Sequence, residues 1–209
     1  MAGMLGDEGD AMVRIKALQV PVTVDAAIPG LKVRPYTDAF SDSNGYVMRG
    51  NQDTMHINSL AKDPQQTIYH EAEHLLANRG LGHGLGTNEV YDEMQRKYPA
   101  LPKRGILVLD FIAAADVLEK KYGLDSGYFT PEMATFQRGR FPNLLAEQIA
   151  TLSALEQKYG IDILSDPDLR LNKETRAVLR SVMGLRQTRL DSKDLKPYTP
   201  IMESRKERK

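Results

Sequence analysis

The histidine pair at positions 70 and 74 constrains this chain more than any other feature of its sequence. The pair lies in the stretch Thr67–Ala77, which reads TIYHEAEHLLA. On a helix, residues four apart lie one turn above each other on the same face. Two imidazole nitrogens at this spacing can reach one zinc ion, and Glu71 then lies beside the metal, where a bound water would be. The pattern therefore predicts a helix with a zinc-binding face.

The residues around the pair favour the same helix. Asp63 is a typical N-cap residue, Pro64 suits the first helical position, and Gly80 is typical of a helix end. The apolar residues between them follow helical spacing, and they are Ile68, Ala72, Leu75 and Leu76. The chain contains four histidines, and three of them, including His83, fall within this short region.

The residues His70-Glu71-Ala72-Glu73-His74 read H-E-x-x-H, and this motif resembles that of the zincin class of zinc metallopeptidases. The resemblance implies that His70 and His74 bind Zn²⁺ and that Glu71 is the general base. Glu73, the second acidic residue of the motif, is expected to lie beside the ligands or in solvent and not to bind the metal.

The resemblance also implies a strand before the metal helix that pairs with extended substrate through main-chain hydrogen bonds. The segment Met55–Asn58 is the candidate for this edge strand. The alternative, that this strand is internal to its sheet, stays open at this point.

A catalytic zinc site normally takes three protein ligands, so a third ligand is needed. Glu147 is the favoured candidate, because its neighbours on one helix face are the small residues Ala150, Thr151 and Ala154, which let another helix pack closely. A carboxylate on such a face is costly unless it is paired or binds a metal. The pattern Glu147-x-x-Ala150-Thr151 also resembles the Glu-x-x-Ala/Ser-Asp of gluzincins, except that Thr151 stands where their aspartate orients a histidine ligand.

Two other residues compete for the third position. Glu89 follows a glycine-dense loop in the segment NEVYD, and His83 lies on that loop itself. His83 comes too late for the metzincin pattern, whose last histidine position is occupied here by Gly80. A different loop path could still bring His83 to the metal.

The composition narrows the classes of function. The chain has 209 residues, no cysteine and a formal net charge of zero, so a zinc site must use histidine and carboxylate, and nothing favours nucleic acid as a partner. No apolar run approaches the roughly 20 residues that span a bilayer, and no signal peptide is recognisable. We therefore expect no membrane insertion, and a location in the cytoplasm or export by a dedicated system without a cleavable signal.

The order of elements predicts an α+β fold, zincin-like by resemblance, with a small N-terminal sheet followed by a mainly helical remainder. Residues 1–12 are expected to be a flexible leader, 13–184 a single domain and 185–209 a charged, extended tail. The predicted strands are Leu18–Val24, Leu31–Tyr36, Tyr46–Met48 and Thr54–Ile57, and the predicted later helices are Glu89–Tyr98, Gly105–Tyr122, Phe141–Lys158 and Lys173–Met183, the last one ended by Gly184.

The predicted function is zinc-dependent hydrolysis of a peptide or protein substrate. The alternative is an inactive zincin-like binding or scaffold domain of a larger protein, for example a bacterial effector or toxin.

Overall fold

A computed structural model of the protein describes residues 18–40, 43–83, 87–103, 114, 117–118, 120–121 and 141–190. For residues 87–91, 141–143 and 189–190 it describes the backbone alone. A small mixed sheet is followed by a mainly helical remainder, which confirms the α+β prediction. Among the described helices, none has both the length and the apolar character that crossing a bilayer requires.

The described part of the sheet has three strands, β1 (Lys32–Tyr36), β2 (Gly45–Tyr46) and β3 (Thr54–Asn58), in the order β1-β3-β2. β3 pairs in parallel with β1 and antiparallel with β2. The proposed edge strand at Met55–Asn58 is therefore internal, and β2 lies at the edge beside it.

The predicted first strand, Leu18–Val24, is wrong. The structure instead has a helix, α1 (Val22–Ala27), which begins directly after Pro21. A strand would bury Val22 and Val24 on one face, but Val22 is 84% exposed, whereas Val24 and Ile28 are fully buried. A helix forms because it places Val24 and Ile28, four residues apart, on one face, where both pack in the apolar cluster that contains residues of β3.

The helix predicted around the histidine pair is present as α2 (Pro64–Asn78). The Asp63 carboxylate accepts a hydrogen bond from the Gln66 N–H, Pro64 is the first residue, and Gly80 follows the end with φ +80°. One face of α2 packs on the sheet, and the other packs along the long helix Phe141–Tyr159. The apolar residues predicted to face the core are fully buried, namely Ile68, Ala72, Leu75 and Leu76.

The remaining helices are α3 (Thr87–Lys97), α4 (Phe141–Tyr159), α5 (Lys173–Ser181) and α6 (Gly184–Leu190), with a 3-10 turn at Ile163–Ser165. α4 joins two apolar clusters. Ala154 packs with α1, β3 and α2, whereas Leu152 and Leu155 pack with α5 and the 3-10 turn. The predicted helix Gly105–Tyr122 lies mostly outside the described residues, of which 114, 117, 118, 120 and 121 are helical.

The prediction that Gly184 ends the last helix is wrong, because α6 begins there. Leu185, expected to open an extended tail, is buried in the cluster formed by α1, β3 and α2. The tail prediction is therefore corrected for residues 185–190. The rest of the predicted tail, 191–209, and the predicted leader, 1–12, lie outside the described residues.

Candidate metal centre

Three side chains from α2 and α4 meet at one point. Nε2 of His70 lies 2.8 Å from Oε2 of Glu147, Nε2 of His74 lies 3.3 Å from the same oxygen, and the two Nε2 atoms are 3.1 Å apart. All three residues are partly buried, and within the described part of the chain they form the group whose ligand atoms could hold a metal ion. The structure thus brings together the two motif histidines and the favoured third candidate.

The donor set fits zinc, since two histidine nitrogens and one glutamate oxygen are among its common protein ligands. Tetrahedral ligands about 2.0–2.1 Å from zinc lie about 3.3 Å from one another. The observed separations of 2.8, 3.1 and 3.3 Å are close to that value. Small outward shifts of the three side chains would make room for the ion.

The two helices run antiparallel, and pairs of side chains along their length align them. Lys158 near the end of α4 forms an ion pair with Asp63 at the start of α2. One turn before Lys158, Ala154 packs in the cluster that contains the buried face of α2. Glu147, near the start of α4, then reaches His74 near the end of α2. The close packing of α4 on α2, through the face of α4 that has small residues, therefore brings Glu147 within reach of both histidines.

Thr151 takes the place of the aspartate that the gluzincin resemblance leads one to expect. Its Oγ1 lies 3.2 Å from Nδ1 of His70, the ring nitrogen that does not face Glu147. A hydroxyl that accepts the Nδ1–H bond leaves Nε2 as the metal-binding nitrogen. Thr151 is therefore placed to orient the His70 ring.

The carboxyl group of Glu71 is buried beside the triad. Burial raises the pKa of Glu71 to about 7; the nearby Glu147 carboxylate acts in the same direction, and His74 opposes it. A carboxyl group that titrates near neutral pH can both accept and return a proton. Glu147 shows the opposite balance in the metal-free protein. Burial acts to raise its pKa, but its contacts with His70 and His74 outweigh burial and hold the pKa well below the usual range.

Gly45 on the edge strand β2 packs directly against α2. A Cβ atom at this position would lie 2.7 Å from Cγ2 of Thr67 and 3.2 Å from Cγ of Glu71. The absence of a side chain therefore lets the edge strand pass beside Glu71. The sequence analysis gave Gly45 no role, because no local signal distinguishes this glycine from one that only allows a turn.

Glu73 is not one of the three candidate ligands, and it is not exposed to solvent. It is fully buried, and its carboxylate accepts hydrogen bonds from the Ser153 hydroxyl and from the N–H groups of Gly184 and Leu185. Burial raises the pKa of Glu73, and these hydrogen bonds act in the other direction. Sequence reasoning missed this network, whose partners lie far away along the chain.

The two alternative ligands differ in what the structure shows. His83 is buried, and its ring packs edge-to-face against the ring of His74, with 5.6 Å between centroids. It lies next to the triad but not in it. Glu89 lies in α3, and its side chain is outside the described residues.

Comparison of the chain with protein-family models, with curated proteins and with solved structures gave no match.

Proposed function

We propose that the protein is a zinc-dependent peptidase of the zincin type. The observation that carries the proposal is the meeting of His70, His74 and Glu147 around one point, with Glu71 buried next to it on the same helix. This set combines a two-histidine, one-glutamate zinc site with a carboxyl group suited to proton transfer.

Each residue has a separate role in this proposal. His70, His74 and Glu147 would hold the ion, and Thr151 would orient the His70 ring. A zinc ion bound there would lower the pKa of its water toward about 7 and would polarise the carbonyl of the scissile bond. Glu71 accepts the proton of the attacking water and returns it to the amine that leaves.

The edge strand β2 supports a peptide or protein as the substrate. The Asn58 N–H donates to the Asn44 C=O, and Tyr46 lies opposite His56. Because main-chain groups in an antiparallel pair alternate in direction, those of Gly45 point away from β3. The Gly45 C=O accepts a hydrogen bond from the Ser43 hydroxyl, which leaves the Gly45 N–H to pair with an extended chain beside Glu71.

The test begins with zinc content, measured by atomic spectroscopy before and after chelation. We expect about one zinc per chain, lost in His70→Ala and in His74→Ala because each change removes a ligand. His56→Ala is the matched control, since His56 stacks on Tyr46 in the sheet and does not belong to the triad. Full zinc occupancy in the double variant His70→Ala/His74→Ala would exclude the site.

Activity is tested with a mixed peptide library analysed by mass spectrometry. Glu71→Gln should keep its zinc and its fold while cleavage falls by about 100-fold or more, since proton transfer contributes about 10²–10⁴-fold. Undiminished cleavage by this variant would refute the mechanism. Zinc binding without cleavage in the unmodified protein would favour the alternative of an inactive binding domain.

A further inference from the structure

The Glu73 carboxylate joins three helices at one buried point. Its own helix is α2, Ser153 belongs to α4, and Gly184 and Leu185 form the first turn of α6. Oε1 accepts from the Leu185 N–H at 2.9 Å and from the Ser153 hydroxyl, and Oε2 accepts from the Gly184 N–H at 2.7 Å. Both backbone donors belong to N–H groups that α6 itself cannot satisfy at its start.

Both oxygens of Glu73 are needed for this arrangement. A glutamine in the same place would have one acceptor oxygen, and its NH₂ group would face a backbone N–H, so two donors would meet. Gly184 is also restricted, because a Cβ atom there would lie 3.0 Å from the Leu76 side chain and 3.1 Å from Oε2 of Glu73. The start of α6 is therefore fitted closely to the face of α2 that carries Glu73.

The same turn of α6 supports the loop next to the metal centre. A Cβ atom on Gly82 would lie 2.8 Å from the backbone nitrogen of Gly184, so the two glycine backbones are in close contact. The Gly82 N–H donates to Oε1 of Gln187 in α6 at 3.3 Å. His83, the next residue, places its ring against that of His74.

We propose that Glu73 is a positioning residue of the metal centre, which fixes α2 against α4 and holds, through α6, the loop that packs His83 on His74. This inference rests on the proposed zinc site. Ser153 lies on the same helix as Glu147, so its bond to Glu73 sets the relation between the two helices that supply the three ligands. Glu73 also adjoins His74 in sequence, so the contacts that fix Glu73 act on the helical turn that carries this proposed ligand.

The test compares zinc affinity, by competition with a chromophoric chelator, in the unmodified protein and in Glu73→Gln. Groups that orient metal ligands typically contribute about 10- to 100-fold to affinity, and we expect a loss in that range. Ser153→Ala is a milder second variant, which removes one donor, and it should lower zinc affinity less than Glu73→Gln does. In the metal-free protein, amide exchange at Gly184 and Leu185 should be faster in Glu73→Gln.

Asp166→Asn is the matched control for general destabilisation. Asp166 is a buried carboxylate that accepts from the Asp168 N–H and pairs with Lys121, and neither of these partners belongs to α2 or α6. Asp166→Asn should leave zinc affinity within about twofold, far below the change expected at a group that orients a ligand.

If Glu73→Gln and Ser153→Ala bind zinc as tightly as the unmodified protein, the role assigned to Glu73 is wrong. If the unmodified protein itself binds no zinc, the proposed function fails instead, and amide exchange at Gly184 and Leu185 still tests whether Glu73 holds α6.

Discussion

Oγ1 of Thr151 lies 3.2 Å from Nδ1 of His70, while Nε2 of the same ring faces Glu147. The two nitrogens of one imidazole thus have different partners, both of them on α4. Because Thr151 and Glu147 are four residues apart on one helix, a single helix face orients the ring and completes the proposed ligand set.

Thr151→Val should lower zinc affinity by about tenfold, because the nearly isosteric valine cannot accept the Nδ1–H bond. Zinc titration in the presence of a competing chelator measures the change. Thr175→Val is the control, since Thr175 is also buried but lies on α5. Equal affinities in the Thr151 and Thr175 variants would show that the hydroxyl does not orient the ring.

Glu147→Ala should reduce zinc affinity by more than 100-fold, beyond the range typical of groups that only orient a ligand. Glu89→Ala and His83→Ala should stay within or below that range. The same competition titration compares the three variants directly. If His83→Ala empties the site, the loop after α2 supplies the third ligand, and if Glu89→Ala empties it, α3 does. Either result would show that the assignment to α4 is wrong.

Gly45→Ala should impair hydrolysis while zinc stays bound. The added Cβ would lie 2.7 Å from Cγ2 of Thr67 and 2.9 Å from the backbone oxygen of His56, so β2 must shift beside Glu71. A displacement of about 1 Å near reacting groups can lower a rate by about 100-fold. The measurement is the cleavage rate of a peptide identified from the library.

The second change Thr67→Ser provides a rescue for Gly45→Ala. Serine removes the nearest clashing methyl group and keeps the hydroxyl that donates to the Asp63 C=O. Partial recovery of cleavage in the double variant would link the loss to the strand position. A Gly45→Ala variant with full activity would show that the close approach of β2 is not needed.

Glu156 should make the metal-free protein less stable as pH rises. Burial raises the pKa of Glu156, although the Leu164 N–H and Arg186 oppose this shift. The folded state therefore holds the proton more tightly than the unfolded state. The resulting stabilisation is complete below the unfolded pKa of about 4.3 and is lost as pH rises through the folded pKa.

Urea denaturation of the metal-free protein at several pH values above 4 tests this prediction against Glu156→Gln. The free energy of unfolding of the unmodified protein should fall relative to that of the variant as pH rises. The slope of the difference has a limit of about 1.4 kcal/mol per pH unit. A difference that stays constant or grows with pH would contradict the prediction.

Helix α2 could be predicted closely because its signals are local. Asp63, Pro64 and Gly80 mark its ends through contacts with their own neighbours in sequence. Glu147 could be selected because a carboxylate among small residues on a buried helix face needs a partner. These inferences depend on one helix at a time.

The errors arose where distant partners decide the structure. The apolar run of Leu18–Val24 is so short that it fits both the alternation of a strand and the spacing of a helix. The packing of Val24 against the core favours the helix. Gly184 was expected to end a helix, yet its N–H meets the Glu73 carboxylate 111 residues earlier in the chain, and α6 begins there. Likewise, whether β3 is internal depends on how β2 returns to pair with it.

His74 and Glu147 are 73 residues apart, yet their side chains meet between two antiparallel helices. An ion held by both would join the ends of a long loop, much as a disulfide does, but reversibly. This chain has no cysteine, so such a link would be its counterpart of a covalent bridge. Free zinc at 100 times the dissociation constant would stabilise the folded chain by about 2.7 kcal/mol. The stability of the folded chain would then depend on the concentration of free zinc around the protein.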